Sequence, residues 1–134
     1  MRTLLLAGLL AFAPAWLGAC AVDRKYSQTE LDSIQTREYD AAYDRTFDAA
    51  IAALFDAGYV VSASDKRGGF VSAVRYGSGA VGGVQVKIDS VNAGRTTVRI
   101  STTDGGQARV DKKRVDEIAG LIGSRLLFTP PPRG

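Results

Sequence analysis

The chain has 134 residues, 46% hydrophobic and 23% charged, with 17 Lys and Arg against 14 Asp and Glu. Those proportions suit a folded globular domain and exclude a disordered or fibrous one. A net charge of +3 implies neither a nucleic-acid partner nor a strongly acidic substrate, and a chain with no histidine and one cysteine has few soft metal ligands and no internal disulfide.

Met1-Arg2-Thr3 carries one positive side chain, and an apolar run from Leu4 to Leu17 follows, interrupted by Pro14. A charged start, a short apolar stretch and small residues before a cut describe a secretory signal. A retained transmembrane helix would need about 20 apolar residues, more than Thr3 to Ala19 offers. Leu17-Gly18-Ala19-Cys20 resembles the lipobox of bacterial lipoproteins, with Leu three residues before the cysteine and small residues between. The resemblance implies cleavage between Ala19 and Cys20 by a type II signal peptidase, and diacylglyceryl and acyl (palmitate-type) groups on Cys20. At about 0.8 kcal/mol per buried CH2, two or three chains make a firm membrane anchor. By the same resemblance, Ala21 after the cysteine favours the outer membrane, with the domain on its periplasmic face.

Removal of residues 1–19 would leave 115 residues, enough for one domain. Charge is uneven along them: residues 20–57 hold eight acids and four bases, residues 58–134 twelve bases and six acids. Residues 20–35 are polar with no firm apolar period and read as a lipidated tether. A flexible segment of ~15 residues reaches roughly 20 Å. A short helix over Thr29–Ile34 is compatible with the same residues.

The folded domain is expected over 36–128. Thr36–Asp40 is a short strand. Tyr43, Phe47, Ala50, Ile51 and Leu54 repeat at the helical period, with Asp40 or Asp44 as N-cap and Gly58 as the left-handed terminator. From Tyr59 the period becomes two. Strands are predicted at 59–64, 70–75, 84–91 and 96–103, with a turn at 65–69 and a glycine-rich mobile loop at 77–83. Asn92-Ala93-Gly94 forms a three-residue turn with Gly94 left-handed, and Asp104–Gln107 breaks the last strand. Asp111 to Leu127 is a second helix, with Val115, Ile118, Ala119, Ile122 and Leu126 inward and Arg114 among the residues facing out. The Pro-rich residues 129–134 form an extended tail.

Antiparallel hairpins with one apolar face, plus two amphipathic helices, predict a two-layer α+β domain: about five strands in the order β-α-β-β-β-β-α, with both helices on one face. Phe47-x-x-Ala50-x-x-x-Leu54-x-x-x-Gly58-Tyr59, Ser64-Asp65 and Gly69-Phe70-Val71-Ser72-Ala73 together resemble small envelope lipoprotein domains with a BamC-like helix-grip fold. The resemblance implies that fold and a place in the cell envelope.

Little in the chain points to catalysis. Gly77-x-Gly79-x-x-Gly82 has dinucleotide-binding spacing, but a strand and no helix is predicted after it. Asp116-Glu117 do not converge on a helix, Asp40 and Asp44 serve helix initiation, and Ser62, Ser64 and Ser72 have no histidine base. No catalytic residue, cofactor or metal ligand is therefore assigned. The candidate partner-contact surface is basic: Lys112, Lys113 and Arg114 in the first turn of the last helix, with Arg75, Lys87 and Arg99 on the open sheet face. The expected function is a non-catalytic accessory module contacting the membrane and another envelope protein, with no nucleic acid. The alternative is a binding module for a small apolar or lipid-like ligand between helices and sheet.

Overall fold

The computed structural model describes residues 25–77 and 80–128. The expected signal peptide, the expected Ala19–Cys20 cleavage site and lipidation at Cys20, and the expected extended Pro-rich tail all lie outside the described residues.

Three helices, α1 (Gln28–Gln35), α2 (Tyr43–Asp56) and α3 (Lys112–Phe128), accompany six strands: β1 (Thr36–Tyr39), β2 (Val60–Asp65), β3 (Phe70–Gly77), β4 (Ala80–Asn92), β5 (Arg95–Asp104) and β6 (Gln107–Ala108). The strands form one antiparallel sheet ordered β1-β5-β4-β3-β2, with β6 also on β5. Alternate residues of the central strands are buried: Val71 and Ala73, then Val84, Val86 and Ile88, then Val98 and Ile100. Phe47, Ala50, Ala53 and Leu54 of α2 and Val115, Ile118 and Ile122 of α3 join the same core. This is the two-layer α+β arrangement expected from the sequence, with α2 and α3 packed on one face of the sheet.

Local chemistry explains the elements and several departures from expectation. Residues 28–35 of the expected tether are helical because Ser27 and Glu30 form a capping box. Ser27 Oγ accepts from the Glu30 amide at 3.2 Å, and Glu30 Oε2 accepts from the Ser27 amide at 2.7 Å. Neither Asp40 nor Asp44 caps α2; the N-cap is Ala42, whose carbonyl accepts from the Thr46 amide and hydroxyl, both at 3.0 Å. Asp44 still sits in the first turn, where it favours the dipole. The other end closes as predicted, with Gly58 left-handed at φ 82°. The Tyr59 amide reaches the Leu54 carbonyl at 2.9 Å and the Gly58 amide the Phe55 carbonyl at 3.0 Å, the paired bonds of a Schellman cap.

The glycine-rich stretch is mostly strand, not loop: β3 runs to Gly77 and β4 begins at Ala80, with those two residues paired. No helix follows it. Gly94 is not left-handed; the Asn92 side chain accepts its amide at 3.0 Å and closes a tighter turn. The Asp104–Gln107 break is itself a hairpin, since Gly105 and Gly106 both adopt the positive φ that a two-residue turn of type I′ needs.

Candidate functional site

Strand parity separates the six basic residues singled out in the sequence. Lys87 and Arg99 lie directly opposite each other on β4 and β5, on the outer face of the sheet. Each has its own acid. Lys87 Nζ lies 3.1 Å from Asp89 Oδ1 and donates to the Gly68 carbonyl at 3.0 Å; Arg99 meets Asp32 at 2.9 Å and Gln35 at 3.2 Å. Nearby Arg95 is shared by Glu38 and Asp40 at 2.9 and 3.4 Å. The outer face is thus a mosaic of neutralised pairs, not a basic field.

Arg75 and Arg114 belong to the other face, a correction to both assignments. Arg75 has the parity of buried Val71 and Ala73, and its register partners across the sheet are Gly82 and then Asp104. Gly82 leaves a gap in that row. Arg114 fills it from above: a Cβ on residue 82 would stand 3.1 Å from Arg114 Nη2. Arg114 is buried, not solvated. Its guanidinium donates to the Tyr59 hydroxyl at 3.0 Å, Asp104 Oδ1 at 3.0 Å, the Gly83 carbonyl at 2.8 Å and the Thr103 carbonyl at 3.4 Å. Arg75 stacks on the same Tyr59 ring, 4.7 Å from its centroid, and donates to the Ala57 carbonyl at 3.0 Å. Asp111 accepts the Arg114 amide at 3.1 Å, capping α3. An open cleft of about 200 Å³ lies among Arg75, Gly77, Gly82, Asp104, Asp111 and Arg114. Of the remaining pair, Lys112 is tied to Asp116 at 2.7 Å, an acid that Arg37 also meets at 2.7 Å, and Lys113 is exposed. The structure therefore brings together Arg75, Arg114 and the start of α3, and sets Lys87 and Arg99 apart from them.

Sequence reasoning had a signal for Arg114, which precedes Ile118 by four residues and so shares the buried stripe of α3. It had none for Arg75, because Phe70–Val74 is apolar on both parities. It also missed an apolar patch. Val60 opposes Val74 and Tyr76 opposes Val81 on the outer face beside β2, the edge strand among the described residues, and Val60, Tyr76 and Val81 are 57, 73 and 43% exposed.

Elsewhere the polar groups serve structure. Burial pushes the Tyr39 phenol up to about 12, and it donates to the Ala119 carbonyl at 2.7 Å. Burial also raises Tyr43, which donates to the Lys66 carbonyl at 2.5 Å. Both phenols stay protonated and unreactive at neutral pH. Among the described residues, no three His, Cys, Asp or Glu side chains gather as metal ligands. A second cleft, about 330 Å³, lies at the sheet edge among Tyr39, Asp40, Ala41, Arg45, Gly123 and Leu126.

No protein-family model and no curated protein matches this chain. Among solved structures it is similar to a chain of the adenylate sensor from AMP-activated protein kinase, crystallised with 5-aminoimidazole-4-carboxamide 1-β-D-ribofuranotide. The TM-score is 0.50 at 11% identity, covering 69% of this chain and 95% of that one. At that identity the likeness is one of fold alone.

Proposed function

We infer that the chain is a lipoprotein of the bacterial envelope, held at the outer membrane through acylated Cys20, whose α+β domain is a non-catalytic contact module for another envelope protein. The anchor rests on Leu17-Gly18-Ala19-Cys20 and on that cysteine being the single one in the chain. No helix of the described residues is long and apolar enough to cross a membrane. The contact role is carried by one observation: the apolar patch of Val60, Val74, Tyr76 and Val81 on an outer sheet face that α2 and α3 leave uncovered. Apolar side chains grouped beside an edge strand favour association with another protein surface. This moves the expected contact surface from the basic residues to the β2–β3–β4 side of the sheet.

The second reading, a small apolar ligand between helices and sheet, finds no room under α2, where Ala50, Ala53 and Leu54 are fully buried. What favours it is the edge cleft lined by Tyr39, Ala41 and Leu126, whose volume of about 330 Å³ falls at the small end of ligand sites.

Two experiments test these statements. Cys20→Ser is expected to abolish palmitate labelling and membrane fractionation; unchanged fractionation overturns the anchor. Photo-crosslinkers at Tyr76 and Val81 in living cells are expected to trap an envelope protein, and those at Lys87 and Arg99 to trap less. Equal trapping at both sets overturns the contact surface.

A further inference from the structure

Arg75 is a half-buried guanidinium with no carboxylate within ion-pair distance among the described residues, beside a cleft whose other charges are already engaged. Of its five N–H donors, one bond is made among the described residues, to the Ala57 carbonyl. Asp104 is held by Arg114 at 3.0 Å and Arg109 at 3.8 Å. Asp111 caps α3. Arg114 spends four contacts on the protein, leaving one Nη2 hydrogen next to the gap at Gly82. A cation withdrawn from water without a counter-ion is costly, and a guanidinium fork matches the oxygens of a bidentate oxyanion. The space is too small for a whole organic ligand, yet it admits one anionic group. The start of α3 follows Asp111 in the lining, and its first-turn amides add positive potential suited to a doubly charged group.

We propose that this cleft binds a phosphate group, with Arg75 as its principal ligand and the Arg114 Nη2 hydrogen as a second donor. Tyr59 holds both guanidinium planes in place. Gly77 and Gly82 add no side chains to its lining. The site does not depend on the membrane anchor, and phosphate could reach it either free in solution or on a lipid headgroup.

The test uses the full chain in maltoside micelles, with arginine Nε–H and backbone amide resonances followed as inorganic phosphate is added at constant ionic strength. A saturable millimolar shift at Arg75 Nε, Gly82 and Lys113 is expected. Arg75→Gln should weaken it about tenfold, the scale of one lost charge-assisted pair. Asp111→Asn keeps a capping side chain but removes a negative charge from the lining, so it should tighten binding about threefold. A shift that never saturates, one that Arg75→Gln leaves intact, or one that Asp111→Asn weakens would each overturn the site. Bicelles containing phosphatidylglycerol identify the source. An Arg75-dependent shift that inorganic phosphate competes away assigns a lipid phosphate, and a shift with inorganic phosphate alone assigns a soluble one; both support the site.

Discussion

Arg114 and Arg99 are both arginines brought against the same sheet, Arg114 from α3 above the inner face and Arg99 from β5 on the outer one. Arg114 is buried and its guanidinium is fixed by four contacts to Tyr59, Asp104, Gly83 and Thr103. Arg99 is 41% exposed at its side chain and meets Asp32 and Gln35 of α1 where water competes for every bond. A cation enclosed by the fold must have its donors matched, and its neighbours come to depend on it; an exposed one contributes little and can be exchanged. The two sides of one sheet therefore place different demands on the same side chain.

That contrast can be broken first at Arg114. Arg114→Ala removes the Arg114 donor from the Tyr59 hydroxyl and the Gly83 carbonyl and leaves the Asp104 carboxylate with Arg109 at 3.8 Å. Because Asp104 is itself over a third exposed, the cost is expected at about 2–3 kcal/mol, below that of fully buried pairs, and is read from the urea midpoint. An unchanged midpoint would put Arg114 in the same class as Arg99. A sharper comparison comes from adjacent glycines of β4. A Cβ at Gly83 would meet Thr103 Oγ1 at 2.2 Å, and one at Gly82 would meet Arg114 Nη2 at 3.1 Å. Distance alone makes Gly83→Ala the worse change. The opposite is expected, since Thr103 can rotate towards solvent while Arg114 is pinned. Gly82→Ala should cost about 1–2 kcal/mol and Gly83→Ala less than about 0.5 kcal/mol, measured by thermal unfolding.

On the exposed side, Lys87→Ala and Arg99→Ala should each change stability by about 0.5 kcal/mol or less, and less again in high salt, in the same urea titrations. The smallest effects are acid-linked. Hydrogen bonding from Arg125 holds Asp56 below the ordinary aspartate range, and hydrogen bonding and charge from Lys112, then the charge of Arg37, do the same for Asp116. The unfolded chain therefore takes up these protons at a higher pH than the native one. Their contribution is complete above about pH 4 and is lost as pH falls through the depressed native values. Asp116→Asn should flatten the acid limb of the stability curve while barely altering its neutral plateau.

Much of the fold could be read before any coordinates. The stripe Phe47–Ala50–Leu54 with Gly58 fixed α2 and its end, and the alternation Val84–Val86–Ile88 fixed the inner face of β4. Helix α1 was legible in part, through Ser27-x-x-Glu30, whose spacing is that of a capping box. The cleft was less legible. From the sequence Arg114 reads as facing out, although it lies one turn before Ile118 on the buried stripe, and Arg75 sits in a strand apolar on both faces, so no alternation assigned its side. The apolar patch was hidden for the same reason at Val60 and Val74, which read equally well as core, while Val81 reads as part of the glycine-rich loop.

By itself, the sequence determined where helices and strands form, that the strands return as hairpins, and which face of each helix is apolar. Those features follow from the local period of hydrophobic residues and from caps and turns a few residues long. Only the tertiary structure decided which strand face each ambiguous residue occupies, which cations find acids, and that Arg75, Gly82, Asp104 and Arg114 surround one cleft. Such neighbours come from register between strands distant in the chain, and a shift of one residue would send each side chain to the opposite face.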